Sequence, residues 1–194
     1  MRILVACEFS GIVREAFTRE GHDAWSCDLL PTEIPGQHIQ DDVLKHLGDD
    51  WDLMIAFPPC THLSKAGGWC WKYKKVEQRE AFNFVLKLWS TPIEKICIEN
   101  PVGWLNTHWN KPNQMIHPWQ FGEPWTKQTC LWLKGLPVLI PTNIVEPTGN
   151  WVKPGNIRKR RFNEIPEGGN RNPKDRSRFF SGIADAMAEQ WGNR

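Results

Sequence analysis

The sequence predicts an α/β fold, with a Rossmann-like, mostly parallel sheet and flanking helices. Short apolar runs alternate along the chain with amphipathic segments of helical period, an order typical of a parallel sheet covered by helices. The chain has 194 residues, of which 40% are hydrophobic, and this suits one domain with one core.

Five apolar runs predict the strands. The first, RILVAC, and the third, LMIAF, are short and continuous, as is typical of buried strands. In the last, TCLWLKG, Leu131 and Leu133 alternate with their neighbours. The predicted strands are 2–7, 23–28, 53–57, 95–100 and 129–135.

Three segments have the period of amphipathic helices. In the first, Ile12, Ala16 and Phe17 share one face, and Gly21 can end the helix. The predicted helices are 11–20, 76–89 and 182–191, with a shorter helix or turn over 41–47.

Composition argues against several classes of protein. Mean hydropathy is −0.51, and no apolar run approaches the ~20 residues that a membrane span requires. The chain starts with a strand-like run and no charged leader, so we expect a cytoplasmic protein with no membrane partner. The six cysteines form no CxxC pair, so neither a metal site nor a disulfide is predicted.

One cysteine has an unusual setting. Four others, at positions 7, 27, 97 and 130, lie in apolar stretches and are predicted core residues. Cys60, in contrast, follows two prolines directly after the third predicted strand. Because prolines stiffen the backbone, this thiol is aimed and could act as a nucleophile. The alternative is a buried cysteine that merely follows a core strand.

Polar residues recur where the predicted strands end. In parallel sheets, ligands bind at the carboxyl ends of the strands. Here the first strand leads into CEFSG, the second ends at Asp28, and the fourth ends at Glu99 in IENP. Asp42 lies in the turn before the third strand. Glu99 would therefore lie near Cys60, although it could also be a helix cap or a surface acid.

The ordered series FSG, acid, acid, PPC, ENP resembles the motifs of the cytosine-C5 DNA methyltransferases. The resemblance spans nearly all of residues 1–194 and implies a single domain with the S-adenosylmethionine-dependent methyltransferase fold. It implies that Asp28 binds the ribose hydroxyls of S-adenosylmethionine and that Asp42 contacts its adenine. The residues implied to bind this cofactor are Phe9, Ser10, Gly11, Asp28, Asp42, Pro58, Ser181 and Gly182.

The same resemblance implies a catalytic set of Cys60, Glu99 and Lys127. The thiolate of Cys60 would add to carbon 6 of cytosine, Glu99 would hold the ring at N3, and Lys127 would orient the base. The chain departs from the family where two arginines are usual, because Lys127 and Thr129 stand there. It departs also in the glycine loop, which continues through Arg14.

The partner that the resemblance implies is duplex DNA. A cytosine inside a duplex cannot reach such a thiol, so it must be flipped out of the helix. The loop SKAGGWCWKYKK would meet phosphates and clamp the gap, although it could be a plain mobile surface loop. Residues 136–178 are Pro- and Gly-rich and contain basic runs, which predicts a small recognition arm and a short target. The candidate nucleic-acid contacts are Lys65, Trp69, Trp71, Arg158, Arg160 and Arg161.

Two other functions stay open at the level of sequence. One is a pyrimidine-modifying enzyme that uses the same thiol addition on free nucleotides. The other is a non-catalytic member that binds nucleic acid or another protein. The changed arginine positions and the thinned glycine loop favour it, whereas the presence of Cys60, Glu99, Asp28 and Asp42 argues against it.

Overall fold

The structure, a computed structural model, describes residues 1–65, 68, 71–151, 175 and 177–193. Within these residues it contains nine strands and four α-helices. The strands are β1 (Arg2–Ala6), β2 (Asp23–Asp28), β3 (His38–Gln40), β4 (Leu53–Ala56), β5 (Lys95–Pro101), β6 (Gln114–Ile116), β7 (Trp125–Thr126), β8 (Thr129–Lys134) and β9 (Gly149–Asn150). The helices are α1 (Ile12–Arg19), α2 (Lys75–Trp89), α3 (Leu105–His108) and α4 (Ser181–Gly192).

Seven of the strands form one sheet in the order β3-β2-β1-β4-β5-β8-β6. Strands β1 to β5 are parallel, and β8 is antiparallel to both of its neighbours. The predicted α/β class and mostly parallel sheet are confirmed, and the arrangement is compatible with a Rossmann-like fold. The strand order reverses between β1 and β4, which is where open sheets of this kind bind ligands.

The two faces of the sheet are covered by different helices. Ile3 and Val5 of β1 point into a cluster that includes buried residues of α1 and α4. Leu4 and Ala6 point into a second cluster, which contains Val85 of α2. This alternation follows from the period of two in a strand, and it explains why β1 is apolar throughout.

Helix α1 ends as its sequence predicts. Gly21 has a φ of 81°, in the left-handed region that glycine enters without strain. The Gly21 amide donates to Thr18 O at 3.0 Å and the His22 amide donates to Phe17 O at 3.1 Å. These two bonds form a Schellman motif, which satisfies the last carbonyls of the helix.

A fully buried arginine in α1 was not predicted. The Arg14 side chain is 1% exposed and pairs with Glu15 at 2.9 Å. Its guanidinium also donates to Ser26 Oγ at 3.2 Å, to Thr32 Oγ1 at 3.2 Å and to Ile34 O at 2.7 Å. Arg14 therefore joins α1, β2 and the loop that follows β2.

The first part of the predicted recognition arm packs against the sheet. Leu139 is buried and exchanges two hydrogen bonds of 2.7 Å with the Gln114 side chain. Trp191 Nε1 donates to Pro137 O at 3.0 Å, and the Trp151 ring lies 5.0 Å from that of Phe180. Residues 136–151 thus belong to the packed body, whereas 152–174 lie outside the described residues.

No helix in the part of the chain that the structure describes is both long and apolar enough to cross a membrane.

Two substitutions in α1 separate the buried arginine from an exposed one. Arg14→Met leaves several buried hydrogen-bond acceptors without a donor, and we expect the free energy of unfolding to fall by about 3 kcal/mol. Arg19 pairs with Asp185 while both side chains stay more than half exposed. Arg19→Met is therefore expected to cost less than about 1 kcal/mol. Urea unfolding measures both, and equal losses would contradict the assigned role of Arg14.

Candidate active site

The predicted site residues on β1, β2, β4 and β5 share one edge of the sheet, because these strands are parallel and end there. The antiparallel strand β8 starts at the same edge, since Thr129 pairs with Pro101 at the end of β5. This register also brings Lys127, two residues before β8, to the edge where β4 leads into Cys60.

Cys60 starts a single turn just beyond β4. Its carbonyl accepts hydrogen bonds from the Leu63 amide at 3.0 Å and the Ser64 amide at 2.8 Å. Cys60 is exposed, whereas Cys27, Cys97 and Cys130 are buried as predicted, and Cys7, also predicted to be a core residue, is only half-buried. Cys60 is thus not the buried cysteine of the alternative interpretation.

A side-chain hydrogen bond joins this turn to the end of β5. Ala56 and Ile98 are register partners in the parallel β4–β5 pair. Two residues further on, Asn100 Nδ2 donates to Pro58 O at 2.9 Å. Asn100 is 1% exposed, so this bond is protected from water. Two motifs whose bonded residues are 42 positions apart in the sequence are therefore in direct contact.

Backbone contacts continue the junction past the two motifs. The Trp104 amide donates to Leu63 O at 2.7 Å, and the Lys65 amide donates to Val102 O at 3.0 Å. A Cβ built on Gly103 would lie 2.0 Å from Leu63 O. Only glycine allows this approach of the two segments, a requirement that was not predicted from the sequence.

Glu99 is a buried carboxyl group beside a cation. It is 9% exposed and pairs with Leu131 across the β5–β8 ladder. Burial raises the pKa of Glu99, and the positive charge of Lys127 lowers it in part. Lys127 Nζ also lies 5.3 Å from the centre of the Phe180 ring. A carboxyl group in this setting can hold a proton and donate it to a ring nitrogen.

Asp28 and Asp42 approach the end of β1 from two directions. Burial raises the pKa of the Cys7 thiol, and the charges of Asp28 and Asp42 raise it further. Each carboxylate also accepts a hydrogen bond from a backbone amide two residues further along the chain. Asp28 Oδ1 accepts from the Leu30 amide at 2.9 Å, and Asp42 Oδ1 accepts from the Leu44 amide at 3.0 Å. These contacts fix both groups in place.

The surroundings of Asp28 and Asp42 fit an adenosyl group. Carboxylate oxygens accept hydrogen bonds from ribose hydroxyls and from an exocyclic amine, as the donor groups of such a ligand require. Leu29, directly after Asp28, is 73% exposed and offers apolar surface beside them. The strand order places this region next to the point where ligands bind in open α/β sheets.

A buried glutamate organises the loop between β1 and α1. Glu8 is 4% exposed, and its carboxylate accepts from the Val13 amide at 2.7 Å and from Ser10 Oγ at 3.1 Å. Burial raises the pKa of Glu8, while the amide hydrogen bonds lower it. Phe9 is also buried. The Ser10 hydroxyl, which the sequence predicts to bind the cofactor, thus donates to a residue of its own loop. Glu8 was not identified from the sequence.

Gly11 meets the buried arginine described above. Its φ is 78°, and a Cβ at this position would lie 2.8 Å from the Arg14 guanidinium. The loop between β1 and α1 therefore packs directly against Arg14 at Gly11.

The start of α4 is capped from within the chain. Glu123 Oε1 accepts from the Gly182 amide at 3.2 Å. Burial raises the pKa of Glu123, and hydrogen bonds from the Gly182 and Ser181 amides lower it. A Cβ on Gly182 would lie 1.8 Å from Phe121 O. Sequence reasoning missed Glu123, because a carboxylate 59 residues away gives no local capping signal.

The predicted nucleic-acid contacts are only partly described. Lys65 is exposed near the Cys60 turn, and Trp71 is half-buried, with Nε1 buried and unpartnered. Trp69, Arg158, Arg160 and Arg161 lie outside the described residues. Among the residues that are described, no group of His, Cys, Asp and Glu could hold a metal ion.

Comparison with known proteins assigns no family, since no family model matches the chain and no curated protein matches it significantly.

The buried Glu99 gives a pH dependence that can be measured. Because its folded pKa lies above the ordinary value of 4.5, the folded protein keeps a proton that the unfolded chain loses. Wild-type stability therefore falls as the pH rises above that value. Glu99→Gln removes this loss, so we expect the variant to gain stability over wild type as the pH rises above 4.5, measured by urea unfolding at a series of pH values.

Glu77→Gln, at an exposed position in α2, is the matched control and is expected to show a flat difference. A Glu99→Gln gain that shrinks as the pH rises would contradict the raised pKa.

Gly103→Ala tests the contact between the two loops. The added methyl group would collide with a backbone carbonyl, so we expect the free energy of unfolding to drop by roughly 2 kcal/mol. A methyl group added at Gly48 would meet no atom within 4 Å beyond its chain neighbours, and Gly48→Ala is expected to change stability by less than about 0.5 kcal/mol. Thermal unfolding of both variants measures the difference, and a stable Gly103→Ala protein would rule out the close approach.

Proposed function

We propose that the chain is an S-adenosylmethionine-dependent DNA cytosine-C5 methyltransferase. The observation that supports this most is the Asn100–Pro58 hydrogen bond of 2.9 Å. It fixes the turn that carries an exposed thiol beside the strand that carries Glu99, a buried carboxyl group whose pKa is raised. A thiol and an acid are the two groups that activation of a pyrimidine ring requires.

Cys60 is the nucleophile in this proposal. Its thiolate forms a bond with carbon 6 of cytosine, and the electron pair of the 5,6 double bond moves to carbon 5, which becomes nucleophilic. After carbon 5 has been methylated, it loses its proton to a base. The double bond then forms again and the thiolate is expelled, which restores the enzyme.

Glu99 is the acid. Addition of the thiolate puts negative charge into the ring, and a proton donated at N3 neutralises it. Burial raises the pKa of Glu99 and so favours its protonated form, which is the form that donates a proton. The positive charge of Lys127 limits the pKa increase and so stabilises the Glu99 carboxylate while N3 holds the proton. When the thiolate is expelled, the proton returns from N3 to Glu99.

Asp28 and Asp42 would hold the adenosyl part of S-adenosylmethionine, beside the apolar surface of Leu29. The bound cofactor supplies an electrophilic methyl group on a sulfonium. Phe9 and Gly11 form the loop at the end of β1, and Pro58 begins the turn at the end of β4, so these residues border the region where the strand order reverses.

The exposure of Cys60 favours a large substrate over a free nucleotide. A small-molecule site usually encloses most of its ligand, whereas a base flipped from a duplex brings its own backbone to cover the site. We therefore assign duplex DNA as the substrate. The free-nucleotide alternative is tested in the same experiment.

A duplex containing 5-fluorocytosine tests the proposal. Fluorine at carbon 5 cannot leave as a proton does, so the Cys60 adduct stays on the protein after methylation. With S-adenosylmethionine present, we expect a covalent complex that survives denaturing electrophoresis. Cys60→Ala should form none, and Glu99→Gln should form it at least about a hundredfold more slowly, since general acid catalysis contributes roughly 10²–10⁴-fold.

Thr61→Ala, at the exposed neighbouring position, is the matched control and should react like wild type. An adduct with 5-fluoro-dCMP but not with the duplex would favour the free-nucleotide enzyme. No adduct with either would contradict the proposed function.

A further inference from the structure

The surface beside the Cys60 turn is basic and carries one exposed aromatic ring. We call it the α2 platform; it consists of Lys65, Lys72, Tyr73, Lys74, Lys75 and Arg79, all exposed. Five of these six side chains are cations. Exposed carboxylates in the first turns of α2 are limited to Glu77 and Glu80. The platform therefore carries net positive charge and is complementary to a polyanion.

Tyr73 differs from the aromatic residues that pack inside the molecule. It is the only tyrosine of the chain, and it is 73% exposed. Lys72 Nζ lies 4.7 Å from the centre of its ring. Trp71, two residues earlier, is half-buried. An exposed ring flanked by lysines is the combination that binds single-stranded bases by stacking while cations contact phosphates.

The platform is held to the nucleophile by one buried side chain. Gln78 is 8% exposed, although most polar side chains of α2 face water. Its Nε2 donates to His62 O at 3.2 Å, within the turn that begins at Cys60. The Gln78 amide also donates to Lys74 O at 3.0 Å. A nucleic acid bound to the platform would therefore keep a fixed position relative to the thiol.

We propose that Tyr73 stacks on a base left unpaired beside the flipped cytosine, while the lysines of the α2 platform bind the flanking phosphates. This inference rests on the proposed function for the identity of the flipped base. The stacking itself requires only a nucleic acid with an unpaired base. Within residues 64–75, the loop that the sequence predicts to clamp the gap, this proposal assigns the role to Tyr73.

Fluorescence anisotropy without cofactor tests the stacking independently of methyl transfer. The probe is a labelled duplex with one abasic site, which leaves the opposite base unpaired, and the fully paired duplex is its comparison. We expect Tyr73→Ala to weaken binding of the abasic duplex roughly tenfold or more, since stacking on an aromatic ring is worth ~1–3 kcal/mol per base. Tyr73→Phe keeps the ring and should bind like wild type.

Two further variants separate stacking from charge. Ile144→Ala removes an equally exposed apolar side chain, 69% exposed, and should leave binding unchanged. The double variant Lys74→Gln, Lys75→Gln should weaken both duplexes and reduce the slope of log affinity against log salt by about two. Tyr73→Ala should leave that slope unchanged.

The outcomes distinguish this inference from the proposed function. Equal binding of the abasic duplex by Tyr73→Ala and wild type would overturn the stacking role, whatever the activity. If binding of the abasic duplex depends on Tyr73 but no fluorocytosine adduct forms, the stacking role of the α2 platform is supported and the proposed methyltransferase function is rejected. A labelled RNA hairpin serves as a third probe. The assignment to DNA would be overturned if the wild-type protein bound neither duplex, or if Tyr73→Ala weakened binding of the RNA hairpin alone.

Discussion

One hydrogen bond, from Asn100 Nδ2 to Pro58 O, joins the two chain segments that carry the candidate chemistry. The parallel ladder between β4 and β5 brings the segments to the same edge, but the ladder ends before the prolines begin. A proline has no amide hydrogen to extend it. The Asn100 side chain joins the two segments instead, by donating to the carbonyl of Pro58, and Gly103 lets the backbones approach beyond that point. The position of Cys60 relative to Glu99 depends on this junction.

Charge is divided along the carboxyl edge of the sheet. On the β1–β2 side, the charges of Asp28 and Asp42 raise the pKa of the half-buried Cys7 thiol, which follows β1 directly. On the β4–β5–β8 side, the positive charge of Lys127 lowers the raised pKa of the buried Glu99, and Gln78 joins the α2 platform to the Cys60 turn. In the proposed function, the acidic side would hold the adenosyl ligand and the basic side the nucleic acid, so that the methyl donor and its acceptor meet where the strand order reverses.

Sequence periodicity predicted the elements that the core defines, because β1, β4 and α2 owe their patterns to burial. It missed β3 and β6, which have three residues each and lie at the edges of the sheet. Because the carboxyl ends of parallel strands lie at one edge of a sheet, the sequence also predicted that the candidate site residues share that edge. The sequence did not predict three residues whose hydrogen bonds form only in the folded chain. Glu8 and Glu123 accept from amides at the starts of helices, and Arg14 donates to β2 and to the loop that follows it. Such contacts depend on the tertiary fold. A charged residue in an amphipathic helix is normally predicted to be exposed, so its burial is not visible in the sequence pattern.

The central claim is that one pyrimidine ring contacts both Cys60 and Glu99. A crystal structure of the trapped complex with fluorocytosine duplex, at a resolution that shows the ring, tests it most directly. We predict a covalent bond from Cys60 Sγ to carbon 6 and a Glu99 carboxyl oxygen within about 3 Å of N3. A base bound to another thiol, or a Glu99 carboxyl that makes no hydrogen bond to the ring, would contradict the claim.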